Sequence, residues 1–364
     1  MQLQDVVRKF AVAAAIVSTL LFPFITNAAE SDKPEHEWKM VTSWPKSYPG
    51  LGQGADELAK LINEMSNGRI KVTVYAAGEI VRALEVFDAV SSGKAEMGHS
   101  AASYWTDKVP AGQFFAAVPF GLTAQEMNSW IYNAGGLELW HEAYAPFGII
   151  PMPAGSTGVQ MGGWFNKEIK TIDDLKGLKM RIPGLAGKVL NQVGVETMLL
   201  PGSEIYMALK HGKVDAAEWI GPYNDMESGL HRVAKYYYFP GWHEPGTIFE
   251  ALINKKAFEK LPEDLQSIVM NATRVVNNNV LAEYTARNNA ALERLVGIYK
   301  INLLPFPPAV LEQLKDISEQ VVAEEAKKDP MSQKVYVSYM MFRDQGHDWH
   351  SLSEQAYLNA RNPQ

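Results

Sequence analysis

The chain contains no cysteine. That removes disulfides, thiolate catalysis and Cys-based zinc or iron–sulfur sites from consideration. It has no run of basic residues either, and 34 Lys and Arg against 41 Asp and Glu give a net charge of −7. A chain of that sign is a poor partner for nucleic-acid phosphates. No Gly-x-Ser-x-Gly elbow is present: Gly155-Ser156-Thr157-Gly158 has the wrong spacing for a hydrolase nucleophile. Long apolar runs are also missing, with one exception at the N-terminus.

That exception, Phe10 to Ile25, follows Arg8 and Lys9 and precedes the small residues Asn27-Ala28-Ala29. This is the order of a secretory signal peptide, with cleavage expected near Ala28 or Ala29. Ser18, Thr19 and Pro23 interrupt the run, which falls short of the roughly 20 residues of a spanning helix. Residues 1–29 are therefore expected to direct export and leave a soluble chain of about 335 residues. The leader carries Asp5, Arg8 and Lys9, so the mature charge becomes −8. Hydrophobic content of 47%, with 9 Trp, 15 Tyr and 14 Phe, is enough for large cores in two lobes.

The pattern along the chain is α/β. Trp38 to Trp44 and Ile70 to Tyr75 read as strands around a helix from Gly52 to Met65, followed by a helix at Leu84 to Val90 and a strand at Glu96 to Ala101. The rhythm restarts with strands at Gly158 to Phe165, Leu178 to Ile182, Thr197 to Leu200 and Asp215 to Ile220, separated by short helices. Such alternation predicts two lobes with parallel-rich sheets. From Pro262 to about Tyr299 the pattern is helical throughout, about 57 Å at 1.5 Å per residue, long enough to cross both lobes. A strand at Ile301 to Phe306, a helix at Val310 to Lys327 and two tail helices within Gln333 to Asn359 complete the reading. The tail aromatics Tyr336, Tyr339, Phe342, Trp349 and Tyr357 suit packing on their own chain or on a second copy.

Several motifs reduce to simpler readings. Gly50-Leu51-Gly52-Gln53-Gly54 imitates a dinucleotide fingerprint, but Pro45 to Pro49 separate it from the strand and no acid closes the next strand. It reads as a loop and helix start. His347-Asp348-Trp349-His350 offers two imidazoles without a third ligand nearby, as surface or capping histidines would. Arg181 is different: it closes a strand before Pro183-Gly184, where ligands sit in open α/β sheets. A guanidinium there either pairs internally with Glu218 or takes a small organic acid by its carboxylate. Glu218-Trp219 likewise ends a strand before Gly221-Pro222, and Trp219 is either core or pocket wall.

Three segments carry a family resemblance: Gly158-Val159-Gln160-Met161-Gly162-Gly163-Trp164-Phe165, Leu178-Lys179-Met180-Arg181, and Asp215-Ala216-Ala217-Glu218-Trp219-Ile220-Gly221-Pro222. Tyr236-Tyr237-Tyr238-Phe239-Pro240-Gly241-Trp242 and Glu244 extend it. Together they resemble the periplasmic solute-binding proteins of tripartite ATP-independent periplasmic (TRAP) transporters, most of all the branch that binds 2-oxo acids such as pyruvate, and lactate. The resemblance implies a two-lobed binding protein with a hinge: lobe I at 30–155 with a return near 246–275, and lobe II at 156–245 with about 285–330. A tail at 331–364 would join a homodimer, and the membrane permease subunits would be partners. It implies Arg181 as carboxylate anchor, and Gln160, Glu218, the Trp219 carbonyl and Glu244 as ligands of a sodium or calcium ion that also meets the solute. From lobe I, His99, Ser100, Ala101 and Tyr104 would face the solute. All-oxygen ligation suits a hard cation, and two carboxylates in one pocket call for a positive charge between them. The aromatic run at Tyr104-Trp105 is shorter than in pyruvate-type relatives, and His243 stands where a second tryptophan often follows Trp242. Both departures bear on ligand size and on 2-oxo versus 2-hydroxy choice. The other readings are a metal-assisted enzyme with Glu218 or Glu244 as base, for which no nucleophile–base pair is visible, and a small-acid sensor.

Overall fold

Alternating apolar residues build two sheets. β1 (His36–Thr42), β2 (Ile70–Tyr75), β3 (Met97–Ser100) and β4 (Ile149–Gly158) lie in the first. β5 (Gly163–Phe165), β6 (Lys179–Arg181), β7 (Glu196–Met198), β8 (Ala216–Ala217) and β9 (Tyr236–Phe239) lie in the second. β10 (Thr247–Asn254) returns to the first sheet and β11 (Asn302–Pro305) to the second. The spatial orders are β2-β1-β3-β10-β4 and β11-β9-β5-β8-β6-β7. This computed structural model describes residues 33–362, so the expected signal segment at 1–29 lies outside the described residues. No described helix is long and apolar enough to cross a membrane.

The chain passes between the sheets three times, at residues 159–162, 240–246 and 255–301, and the first two crossings touch. Gln160 N donates to Glu244 O at 3.2 Å, and Gly162 N to Tyr238 O at 2.7 Å. Gly241 has no Cβ because one would collide with the Gln160 carbonyl. The helix Glu263–Gly297 ties the lobes together. Its buried Leu265, Val269, Ala272, Val276, Val280, Tyr284, Ala291 and Leu295 recur along one face as a continuous stripe. Val280 packs against Gly54 and Gly155 of the first lobe, while Asn288 Oδ1 accepts from Tyr223 N in the second. Each fully buried Val or Leu there contributes about 1.5–3 kcal/mol.

Several sequence expectations need correcting. Gly158 to Phe165 is not one strand: Gly158 has φ +69° and the chain leaves the first sheet there, re-entering a strand at Gly163. Asp215 to Ile220 is a strand only at Ala216–Ala217: beyond it Glu218 N still donates to Arg181 O, but Glu218 O turns to Arg181 Nη1 and Ile220 N to Asp225 Oδ1. β4 and β10 carry no clear strand signal. Pro151 and Pro153 disguise β4, which tolerates them as an edge strand. All eight residues of β10 are buried, so polar Glu250 breaks the pattern without facing water. β10 runs antiparallel to both neighbours, making the first sheet mixed. Helices at Gly112–Ala116, Ala124–Asn133 and Gly136–Tyr144 add an unanticipated layer to the first lobe.

The tail is nearly continuous: an α-helix at Pro330–His350, a π-helical turn at Ser351–Gln355 and an α-helix at Ala356–Arg361. Its first half packs on the first lobe, where Tyr339 is fully buried and its hydroxyl accepts from Leu122 N at 2.7 Å. His350 lies 3.4 Å from Glu126. Trp349, Leu352 and Tyr357 beyond are more than 60% exposed.

Glu250 sits wholly inside the first lobe, reached by the Tyr144 hydroxyl at 3.3 Å, with Oε2 unpartnered among the described residues. Burial pushes its pKa up from 4.5 to about 8, partly offset by the Tyr144 bond. The fold thus holds a proton that the unfolded chain releases above 4.5. Its contribution is fully present below that pH and lost as pH rises toward 8, on the order of 1 kcal/mol per unit. Glu250→Gln is expected to flatten this part of the decline. Urea unfolding of both proteins at about pH 5, 6, 7 and 8 checks it, and parallel pH profiles would refute it.

Candidate functional site

A cleft between the lobes is lined by Trp44, Ala101, Ser103, Tyr104, Gln160, Arg181, Pro183, Glu218, Trp219, Ile220, Glu244, Thr247 and Phe249. About 310 Å³ of space, part of it open solvent, lies among these side chains. Each polar member has a topological reason to be there. Arg181 ends β6 and Glu218 follows β8, at the carboxyl ends of neighbouring parallel strands. Gln160 and Glu244 lie on the first two crossing segments. Gly202 lets the Trp219 ring lie against the chain, since a Cβ there would collide with the indole.

Arg181 is 1% exposed. Its Nε donates to Leu200 O at 3.1 Å, and Nη1 donates to Glu218 O at 2.8 Å and Glu218 Oε2 at 2.9 Å. Of the internal and external roles open to it, the salt bridge to Glu218 therefore exists, at 1% exposure on both sides. Yet it leaves Nη2 buried without a partner among the described residues. A guanidinium has five N–H groups, so the two on Nη2 remain for an incoming acceptor. The cation also lies 5.2 Å from the Trp219 ring, which makes Trp219 a wall of the cleft.

The acidic side of the cleft is short of donors. Gln160 Nε2 donates to Glu244 Oε2 at 2.7 Å, Thr247 Oγ1 at 3.0 Å and Thr157 Oγ1 at 3.3 Å. An ionised carboxylate only accepts, so with Glu244 ionised this contact sets the amide orientation and turns Gln160 Oε1 away from it. Gln160 Oε1 and Glu218 Oε1 are both buried with no hydrogen-bond partner among the described residues. Burial raises Glu218 to about 7 against the pull of Arg181, and raises Glu244 to about 7, with the Glu218 charge adding to it. His243 is pushed down to about 4 by burial, so its ring is neutral at 3.7 Å from Glu218 and cannot balance the carboxylates. Orphaned amide and carboxylate oxygens beside a second carboxylate fit a hard cation. Among the described residues no group of three or more His, Asp or Glu is placed to hold a metal ion.

On the first lobe Ala101 and Tyr104 line the cleft, and burial raises the Tyr104 hydroxyl to about 12. His99 and Ser100 stand behind it. Burial lowers His99 to about 4. The neutral ring accepts from Trp44 Nε1 at 2.8 Å through Nδ1, so Nε2 carries the proton and donates to Ala154 O at 2.9 Å. Both nitrogens are engaged, and His99 acts by fixing Trp44. Ser100 Oγ is 2.5 Å from Ser43 Oγ and fully buried.

Sequence reasoning missed Trp44, Ser103, Pro183, Thr247 and Phe249, and also Tyr48. The Tyr48 hydroxyl accepts from Trp219 Nε1 at 3.1 Å and donates to Asn224 O at 3.0 Å, joining the lobes beside the cleft. The tyrosine four residues after Trp44 in a proline-rich loop was the one available signal.

Residues 40–329 match the model of the bacterial extracellular solute-binding proteins, family 7. A monocarboxylate 2-oxoacid-binding periplasmic protein from Nostoc sp. is 46% identical over 334 residues, covering 92% of this chain and 91% of that protein. A TRAP periplasmic solute-binding protein from Pseudoalteromonas atlantica, solved with bound sodium and pyruvate, superposes with a TM-score of 0.87 at 40% identity, covering 89% of this chain and 98% of that one. A TRAP transporter solute-binding protein from Bordetella bronchiseptica gives 0.88 at 37% identity, covering 90% and 98%; it is a mixed-occupancy dimer with copurified calcium and picolinate.

Proposed function

Because the chain belongs to the family 7 bacterial extracellular solute-binding proteins and is the extracytoplasmic receptor of a TRAP transporter, we propose that its solute is a small 2-oxo monocarboxylate such as pyruvate, held with a sodium or calcium ion. The observation that carries this is the pairing in one cleft of an orphaned guanidinium nitrogen with orphaned amide and carboxylate oxygens. Proteins of this family bind small carboxylates and work with membrane permease subunits.

In this reading Arg181 Nη2 takes the solute carboxylate. Gln160, Glu218, the Trp219 carbonyl and Glu244 hold the cation, which when bound balances the two carboxylates and attracts the 2-oxo oxygen. Trp219, Tyr104 and Ala101 exclude water, which strengthens each polar contact. His99 and Ser100 support the wall. The two lobes would close on the solute because it touches both. The tail at 331–364 would present its exposed Trp349, Leu352, Tyr357 and Leu358 to a second copy, making a homodimer.

A thermal-shift titration of the signal-free protein with pyruvate, in sodium and calcium, tests the assignment. Ligand at about 100 times its Kd adds about 2.7 kcal/mol of stability, and the pyruvate should be recovered chemically unchanged. No shift with pyruvate but a shift with lactate would overturn the 2-oxo choice, and turnover would overturn the receptor-only reading.

A further inference from the structure

We infer that Asp225 is a positioning residue for the cation site: it aims the Trp219 carbonyl. This rests on the cation reading above. Asp225 is 1% exposed in the short helix Pro222–Glu227, and its hydrogen bonds reach none of the proposed ligating atoms. Its Oδ1 accepts from Ile220 N at 3.2 Å. Oδ2 accepts from Trp164 Nε1 at 2.9 Å and from the Tyr237 hydroxyl at 2.7 Å. Those two rings pair across β5 and β9 and stack with centroids 4.0 Å apart, both fully buried.

The Trp219 carbonyl and the Ile220 N–H belong to one planar trans peptide, so they point in opposite directions. Clamping that N–H to Asp225 turns the carbonyl away from Asp225. The carbonyls on either side are already engaged: Glu218 O by Arg181 Nη1 at 2.8 Å, and Ile220 O by Met161 N at 2.9 Å. Residues 218–220 are thereby pinned at three points, one of which sets the Trp219 peptide plane. A buried carboxylate with three donors in the core of a lobe is otherwise a costly choice. Partners that orient metal ligands in this way commonly change metal affinity about 10- to 100-fold when replaced.

Asp225→Asn tests this, because either orientation of the amide sets an N–H group against Ile220 N–H or Trp164 Nε1–H. Calcium titrated by calorimetry is expected to bind at least tenfold more weakly. Pyruvate affinity at saturating calcium should change less than threefold. Tyr237→Phe removes a bond to the same carboxylate but leaves the Ile220 clamp, so it should lower Tm while calcium affinity stays within twofold. Adding Trp164→Phe to Asp225→Asn removes the competing donor, lets the amide oxygen face Ile220, and should restore calcium affinity to within threefold. Should Asp225→Asn fail to fold, the comparison moves to the Trp164→Phe background. There the protein with Asp225→Asn should bind calcium at least tenfold more tightly than the protein with Asp225→Ala. Unchanged calcium affinity in Asp225→Asn, or losses that merely track Tm in both Asp225→Asn and Tyr237→Phe, would overturn the assignment alone. A parent protein that binds neither calcium nor sodium would overturn the cation reading and this inference with it.

Discussion

Replacing Arg181 by alanine is expected to weaken pyruvate binding by roughly 30- to 5,000-fold, the equivalent of about 2–5 kcal/mol for a buried charge pair broken from one side. The magnitude follows from how many acceptors this one side chain serves. Leu200 O, Glu218 O and Glu218 Oε2 use three of its N–H bonding contacts, and Nη2 offers two more N–H groups to the cleft. Arg181→Lys separates anchoring from folding. An ammonium keeps the positive charge beside Glu218, but its three N–H groups cannot serve the three internal acceptors and a solute carboxylate together. The lysine variant should therefore remain folded, with affinity down at least tenfold. Titration calorimetry on both variants at saturating calcium checks the pair, and near-parental binding by either would remove Arg181 from the anchor role.

The polar half of this cleft was legible in the sequence because each residue sits at a readable boundary. Arg181 ends an alternating strand before Pro-Gly, and Glu218-Trp219 stands before Gly221-Pro222. The family resemblance supplied the remaining pair, Gln160 and Glu244. Their meeting is a property of the fold: they are 84 residues apart and touch because the first two crossings run side by side. Separation along the chain also hid Thr247, 87 residues from Gln160, and Tyr48, 171 residues from Trp219, whose own surroundings look like ordinary loop or strand. His99 misled for a related reason. Its position in β3 does bring it toward the cleft, but Trp44 lies in front and takes its free nitrogen. The long helix was plain from its repeat, whereas β4 and β10 were masked by prolines that an edge strand accepts and by a glutamate that the core accepts as a neutral acid.

Removing the cation, or half of the charge that would hold it, carries the second large expected effect. Dialysis against chelator into sodium-free buffer is expected to lower pyruvate affinity at least tenfold, and added calcium or sodium should restore it. The physical basis is a charge and donor shortage: two carboxylates share a buried cleft, Glu218 Oε1 and Gln160 Oε1 have no donor among the described residues, and His243 is neutral. Arg181 is already paired with Glu218 on one side, so it cannot also balance Glu244. Opposite unit charges about 4 Å apart attract by about 4 kcal/mol at an effective dielectric of about 20, before the loss of cation hydration is subtracted. Glu244→Gln removes one such attraction, and its amide oxygen can still accept from Gln160 Nε2 and Thr247 Oγ1, which leaves the new N–H groups at the other carboxylate position. Calcium affinity should fall more than tenfold with a change in Tm of only a few degrees. If pyruvate binds the chelated protein as tightly as the loaded one, Gln160, Glu218 and Glu244 serve the solute directly and the cation has no part in recognition.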